Sequence, residues 1–560
     1  DFTYIETESA ELFDILITEI YTDFTPSLGL PEVEYVELYN RSEKAINLKD
    51  FTFSSNSTDI ILPNYILLPD EYVALHELNT FEDFSQFGAR LELENMPNLG
   101  NNSGEIQLIN PDGVTISNVN YTSAWYQDSD KSDGGFSLEM ISVDNYCQDV
   151  NNWQASRSTI GGTPAKPNEG HETIIDQTPP KAMRAFPSSN LEISVFFDEK
   201  LTPSDAEDIS NYSISDNVAV IDAVLDADLK TVQLSLGSPL QEEKIYTVTI
   251  QNMADCQNNK SLEVQNVRVA LPKMARESDI LINEILFNPV AGGSDFLEMY
   301  NMSDEVFNLK GLKIANTDED GQLQSFVEIE ADFLFFPNTY VAISENTIDI
   351  QNQYLSHVNE DISLGFLIEN DLPSLPDASG GVIIFNKNNE TIDALEYDES
   401  WHHSLLSDEN GVSLERIQLD IETQNVNNWQ SAAATVGYAT PSYQNSQFLE
   451  NTNISTEFIS LAKKTFSPDD DGFEDFLLIQ YELDQTDYSA TISIFDANGR
   501  SIKQLIQNEL LGTSGNIKWD GTNDENARAT MGIYVILIEL VRPDGTVKQE
   551  KLTCVLAGKL

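Results

Sequence analysis

Apolar and polar residues alternate along this chain in short runs separated by turn-forming residues. Ile15-Leu-Ile-Thr-Glu-Ile20 and Glu34-Tyr-Val-Glu-Leu-Tyr39 open the series, and Phe51–Phe53, Ile60–Leu62, Tyr72–Leu75, Glu105–Ile109 and Ser137–Ile141 continue it. Between them lie Asn-Ser, Pro-Asn, Pro-Asp and Pro-Asp-Gly. These favour turns because Pro presets φ, Asn and Asp bond their own backbone, and Gly accepts positive φ. A period of two sends successive side chains to opposite faces, so each run predicts a short strand with one core-facing side. Many such strands in series predict an all-β sandwich.

The pattern is spelled twice. Trp125 to Gln154 reads WYQDSDKSDGGFSLEMISVDNYCQDVNNWQ and Trp401 to Gln430 reads WHHSLLSDENGVSLERIQLDIETQNVNNWQ, with tryptophans, Ser-Leu-Glu triplets and Asn-Asn-Trp-Gln ends 276 positions apart. Upstream, Asp14–Ile20, Glu37–Asn40 and Asn47–Lys49 are matched by Asp279–Ile285, Glu298–Asn301 and Asn308–Lys310. One module of roughly 150 residues therefore occurs twice. The second copy carries extra length between Leu309 and Trp401, on connections that a sandwich tolerates.

A strand ending in Thr-Glu-Ile or Asn-Glu-Ile, a second reading Val-Glu-Leu-Tyr-Asn or Leu-Glu-Met-Tyr-Asn, and then Asn-Leu-Lys resembles the lamin-tail domain, an immunoglobulin-like sandwich. The resemblance implies attachment or display on secreted bacterial proteins. Between the copies, Asp176–Pro180, Leu191–Phe197, Asn211–Ile214, Thr231–Ser235, Tyr246–Ile250 and Asp255–Asn258 resemble a bacterial Ig-like spacer, with Pro272 as a joint. The last unit holds Phe466–Asp475, Ala490–Phe495, Asp496–Gly499, Trp519-Asp-Gly521, Gly532-Ile-Tyr534 and Pro543–Gly545. It resembles the FlgD-like fold and the C-terminal sorting domains of type IX secretion cargo of Bacteroidota. That resemblance assigns sorting or docking to Trp519, Gly532, Tyr534, Gly558 and Lys559.

The chain thus parses into four tandem immunoglobulin-like β-sandwich domains in an elongated arrangement. They are a lamin-tail-like domain at 1–171, an Ig-like spacer at 172–276, a second lamin-tail-like domain at 277–448 and a sorting-type domain at 449–560. With 560 residues and 40% hydrophobic content, each can hold a core. A formal charge of -63, from 93 acidic against 30 basic residues, repels phosphate backbones and argues against nucleic acid as a partner. No apolar run is long enough to span a bilayer as a helix. Three cysteines, Cys147, Cys256 and Cys554, are too few and too scattered for a disulfide framework or a zinc site, and at least one must be unpaired or intermolecular.

Candidate chemistry is sparse. Glu19, Glu37, Glu284 and Glu298 recur at matching places. They read as carboxylates that accept backbone amides or face water rather than as an acid–base pair. Trp153 and Trp429 read as core closers rather than glycan platforms. His402 and His403, adjacent on a strand, point to opposite faces and cannot share an ion. Asp469, Asp471 and Asp475 around Gly472 reproduce the start of a Ca²⁺ loop, so Ca²⁺ is the candidate cofactor. Metalloprotease, serine-hydrolase and phosphate-loop motifs are missing.

The expectation is a non-enzymatic secreted or cell-surface binding and display protein, exported by a type IX-like route. Its expected partners are outer-membrane secretion or anchoring proteins, with surface glycans or other proteins as further ligands. The alternatives are a permanently docked component of an outer-membrane secretion or gliding complex, and an accessory part of an extracellular hydrolase.

Overall fold

The computed structural model describes residues 5–80, 84, 86–318, 321–356, 358, 366–449, 459–469 and 472–558. They form short antiparallel strands almost throughout, and the chain divides into two compact units, residues 1–271 and 272–560.

In the first unit the lamin-tail-like repeat is a two-sheet sandwich. Its six-stranded sheet runs, in spatial order, Trp153–Ala155, Leu138–Met140, Ile15–Tyr21, Tyr35–Asn40, Tyr72–Glu77, Ala89–Leu93, and only the last pair is parallel. The facing sheet is Thr115–Thr122, Ser103–Ile109, Thr52–Ser55, Thr58–Ile61. Ile15, Ile17, Ile20, Leu38, Phe53, Leu108 and Trp153 fill the space between them. Trp153 is fully buried beside Trp125, 6.1 Å between ring centres, so it closes the core.

The strand Ile15–Tyr21 is buried at every position, which a half-exposed strand would not be. A register shift between Ile17 and Glu19 returns Ile20 to the core and leaves Thr18, Glu19 and Tyr21 off the core face. That second face is covered by the segment 157–170 returning across it.

The second repeat, in the other unit, builds the same order: Trp429–Ser431, Leu414–Arg416, Ile280–Leu286, Phe296–Asn301, Tyr340–Ser344, Phe366–Glu369. It keeps the parallel pair at the far edge and the bulge, now between Ile282 and Glu284. Part of its extra length forms the helical turns Thr347–Ile350 and Gln351–Leu355.

The Ig-like region pairs the sheet Ala182–Ser189, Glu192–Phe197, Thr231–Leu236, Val220–Leu225 with Tyr212–Ile214, Tyr246–Ile250, Gln265–Val269. Its joint to the first repeat holds two of the three cysteines, and the third stays unpaired as expected. Cys147 of the repeat and Cys256 of the Ig-like region, 109 positions apart, form a disulfide, and Cys554 remains a free buried thiol. The sequence suggested no partner because a disulfide needs Cα atoms within about 7 Å, and only the packed joint brings these two to 5.7 Å.

Around the disulfide, Asp149 is buried between Lys200 and Lys230, and Gln257 Nε2 donates to Asp144 O at 2.6 Å. Leu229 joins the core of the repeat. Burial works against ionised Asp149, but the two ammonium groups outweigh it and hold the carboxylate below its usual range.

The last region pairs Ile459–Leu461, Leu477–Glu482, Ser514–Trp519 with a larger sheet, Thr465–Phe466, Val547–Leu556, Gly532–Val541, Ser489–Asp496, Ser501–Leu510.

Candidate functional site: a sealed row of carboxyl groups in each repeat

Glu19 lies in register with Glu37 on one neighbouring strand and with Glu139 on the other. Glu284 is flanked in the same way by Glu298 and Glu415. Adjacent strands are about 4.8 Å apart, so each row places three like-charged groups within one another's field. All six are 0% exposed.

The donors come from a segment that the internal repeat extends beyond the Asn-Asn-Trp-Gln ends. Thr163-Pro-Ala-Lys-Pro-Asn168 and Thr440-Pro-Ser-Tyr-Gln-Asn445 are 277 positions apart. Glu19 Oε1 accepts Thr163 N at 2.7 Å together with the hydroxyls of Ser137 and Tyr35, each at 2.6 Å. Glu139 Oε1 accepts Ser156 Oγ and Thr163 Oγ1, and Glu37 accepts Thr18 Oγ1 and Lys166 N.

In the second repeat Glu284 accepts Ser413 Oγ, Thr440 N and Thr440 Oγ1, while Glu298 accepts Asn283 Nδ2 and Ser442 N. Asn168 and Asn445 each pin the segment by donating to carbonyls of two strands, Thr18 and Met140 or Asn283 and Arg416. Ala165 and Ser442 take positive φ, 59° and 71°, where the segment bends to aim its amides at the row.

The copies differ in one coupled pair. A Cβ on Gly162 would lie 2.6 Å from both Glu19 Oε1 and Tyr35 Oη, whereas the second repeat has Ala439 and Phe296 at these places. The tyrosine hydroxyl and the extra methyl compete for one space. Gly162→Ala should therefore destabilise the first unit by about 1–3 kcal/mol. Adding Tyr35→Phe should recover part of that loss, read as a non-zero coupling in a denaturant double-mutant cycle.

Burial, with Glu139 alongside, pushes Glu19 up to about 8, and burial with Glu415 alongside does the same to Glu284. Glu37 and Glu298 are held well above the usual carboxyl range, by burial first and then by the middle Glu. The middle group of each row thus keeps its proton at neutral pH. Glu19 Oε2 and Glu139 Oε2 are buried and accept from no donor among the described residues, which suits two carboxyls sharing that proton. A row sealed by its own chain offers no place for a substrate. It is a fastening for the exit segment, as the sequence reading of amide-accepting carboxylates expected for four of its members. Glu139 and Glu415 were not singled out, although their Ser-Leu-Glu triplets repeat.

His402 and His403 follow a short helical turn instead of lying on a strand. His402 packs 5.6 Å from the Phe287 ring and burial pushes it down to about 4, while His403 Nε2 faces Asp487 O at 3.4 Å in the last region. The two rings meet different partners, Phe287 and Ser431 for His402 and Asp487 for His403.

In the 469–475 turn, Asp475 accepts the amides of Asp469 and Gly472 with its two oxygens. Asp469 Oδ1 is buried without a partner among the described residues. Asp471 lies outside the described residues, as does Lys559. Trp519 and Tyr534 form the core with Phe466, at ring distances of 5.2 and 5.1 Å, so both side chains hold the domain together from inside. Gly532 opens the strand Gly532–Val541, and Gly558 lies against Met531, whose Sδ a Cβ there would meet at 2.6 Å.

One open cleft, of about 780 Å³, lies on the first unit. Phe24, Val33 and Met96 give it apolar wall, and Asp23, Glu34 and Glu77 give it negative charge. Glu34 and Glu77 also accept Leu99 N and Met96 N, so they tie down the loop that forms one side.

Apolar-cored sandwiches joined in series, two of them with a carboxyl row closed by their own exit segment, define a modular β protein whose accessible features lie on loops and sheet faces. Family models assign the modules: a lamin tail domain over residues 8–123, a bacterial Ig-like domain over 170–267 and the CHU_C type IX secretion signal domain over 460–555. The chain thus carries a lamin tail domain, a bacterial Ig-like domain and a type IX secretion signal domain. With that signal it is an extracellular or cell-surface protein. None of the three matched domains is enzymatic. No helix among the described residues is long and apolar enough to cross a membrane.

No curated protein matches the chain in sequence. Among solved structures it is similar to the N-terminal part of the bacterial S-layer protein SbsC, with 14% identity, 40% of this chain, 44% of that one and a TM-score of 0.16. It is similar also to a DUF4876 family protein from Bacteroides thetaiotaomicron, with 14% identity, 41% and 84% covered and a TM-score of 0.18. PorZ, a surface component of the type IX secretion system of Porphyromonas gingivalis, gives 10% identity, 81% and 56% covered and a TM-score of 0.17. The chain spans about half the length of the S-layer structures it matches, 44%, 55% and 54%.

Proposed function

We propose that the chain is a non-enzymatic binding and display protein of the cell surface, carried out by the type IX route through its C-terminal domain. The observation that carries this reading is the secretion signal domain at 460–555 behind two lamin-tail-like repeats whose recurring acid groups are sealed. The cleft of the first unit is where a ligand would sit, since its size is that of a small-molecule site and its acidic side suits a cationic group. A Ca²⁺ ion held by Asp469, Asp471 and Asp475 would find Asp469 Oδ1 free of other partners among the described residues.

Truncation after residue 449 tests the export step. The shortened chain should fold and accumulate inside the outer membrane, and its appearance on the cell surface at the full-length level would overturn the reading.

A second reading, a component retained on outer-membrane machinery, is favoured by the contact of the C-terminal domain with the second repeat. Thr513 N donates to Ser446 O at 2.8 Å, Gln447 Nε2 to Leu511 O at 3.1 Å and Thr513 Oγ1 to Phe448 O at 2.6 Å. Intact-mass measurement of the surface-bound chain separates the two: an end near residue 450 means released or anchored cargo, and an uncut Leu560 with a stoichiometric partner means a retained component.

A further inference from the structure

We propose that the carboxyl row of the second repeat is a pH-sensitive latch, holding the C-terminal domain against that repeat in mild acid and loosening as the pH rises. The two sites are joined through three consecutive residues. Glu415 Oε2 accepts Ser446 Oγ and Gln447 N, both at 2.8 Å. The carbonyl of the same Ser446 accepts Thr513 N, the side chain of the same Gln447 donates to Leu511 O, and Phe448 O accepts Thr513 Oγ1. Residues 446–448 therefore touch the row on one side and the C-terminal domain on the other.

The row carries Glu415, Glu284 and Glu298 in register. Tyr354 of the helical turns, Tyr443 of the exit segment and Tyr340 of the next strand also face it. Arg416, next to Glu415, is engaged with Asp393 at 3.6 Å, and no Lys, Arg or His pairs with the row among the described residues. Every titratable group facing the row is thus neutral or negative. Closing the exit segment over it requires that a proton be kept, whereas an opened segment returns the carboxyls to water. Burial and the neighbouring Glu415 hold the closed Glu284 up to about 8 against an ordinary 4.5, so opening becomes easier with each step of pH between those values. Glu298, held well above the usual carboxyl range by burial and by Glu284, acts in the same direction.

Hydrogen exchange of the full chain at pH 5 and pH 8.5, corrected for intrinsic exchange rates, tests this. Opening of residues 438–448 and 511–513 should rise at least about tenfold in the wild type, one decade being the effect of a single pH unit. In Glu284→Gln, which keeps the shape without that titrating proton, the rise should be clearly smaller than in the wild type, with the remainder coming from Glu298 and Glu415. Residues 161–170, over the untouched Glu19 row, should respond equally in both proteins and serve as the internal reference. An equal rise at 438–448 in wild type and Glu284→Gln would overturn the latch, as would a wild type without a rise there. Should Glu284→Gln not fold, Glu298→Gln removes the other strongly raised carboxyl of the row and should likewise rise less than the wild type, an equal rise overturning the latch.

Discussion

The first unit should lose stability as the pH rises from about 5 to about 8, and Glu19→Gln should remove a large part of that loss. Glu19 is at about 8 in the folded chain against an ordinary 4.5, so between those values the folded state holds a proton that the unfolded state has released. Raising the pH then favours unfolding, and the stabilisation present below pH 4.5 is spent once the pH passes about 8. At about 1.4 kcal/mol per pH unit the loss is on the order of 5 kcal/mol from this one group.

Glu199, pushed up to about 9 by burial and by Asp176 and Asp255, adds a slope of the same sign. The difference between wild type and Glu19→Gln isolates the row. Gln keeps Oε1 as acceptor for Thr163 N and the two hydroxyls and can aim its amide at Glu139 Oε2. It should therefore match or exceed wild type at pH 8. Urea unfolding of residues 1–271 at several pH values measures this, and parallel pH profiles for the two proteins would sink it.

The second large effect belongs to the joint inside the first unit. Asp149→Ala should cost about 3–5 kcal/mol, because Lys200 is left buried, 4% exposed, without the carboxylate that holds its charge. Cys256→Ser should cost on the order of 5 kcal/mol, the loop-closure value for a cross-link over a separation of 109 residues. Both changes act on one contact, so the double variant should fall short of the sum.

The readout that marks a joint, rather than either sandwich alone, is loss of cooperativity. Intrinsic fluorescence of the first repeat, which holds both tryptophans of the first unit, and circular dichroism of the whole unit should coincide in the wild type and separate in the variants. Coincident transitions in Asp149→Ala at unchanged midpoint would show that the ion group contributes nothing.

Much of the fold was legible because a strand with one buried face writes a period of two into the sequence, and a duplicated module writes it twice. The tryptophans at the Asn-Asn-Trp-Gln ends could be placed in the core for the same reason. The carboxyl row was legible only in part. Glu19 and Glu37 stood out by recurrence, but nothing local says that a segment about 140 residues away lies on top of them. The Thr-Pro-x-x-x-Asn signal was present in both copies and lies outside the stretch of strongest identity. The C-terminal landmarks stand out for another reason: Trp519 and Tyr534 mark the domain type because its core is built on them.

The sequence by itself determined the strand pattern, the duplication, the all-β class and the secretion signal, since each depends on neighbours in the chain or on motifs a few residues long. Only the tertiary structure decided that Cys147 meets Cys256, that Asp149 lies between two lysines, and that three glutamates share one sealed row. Disulfide closure, buried ion pairing and carboxyl repulsion act over a few ångströms in space, and residues more than a hundred positions apart reach those distances only when the sheets are assembled.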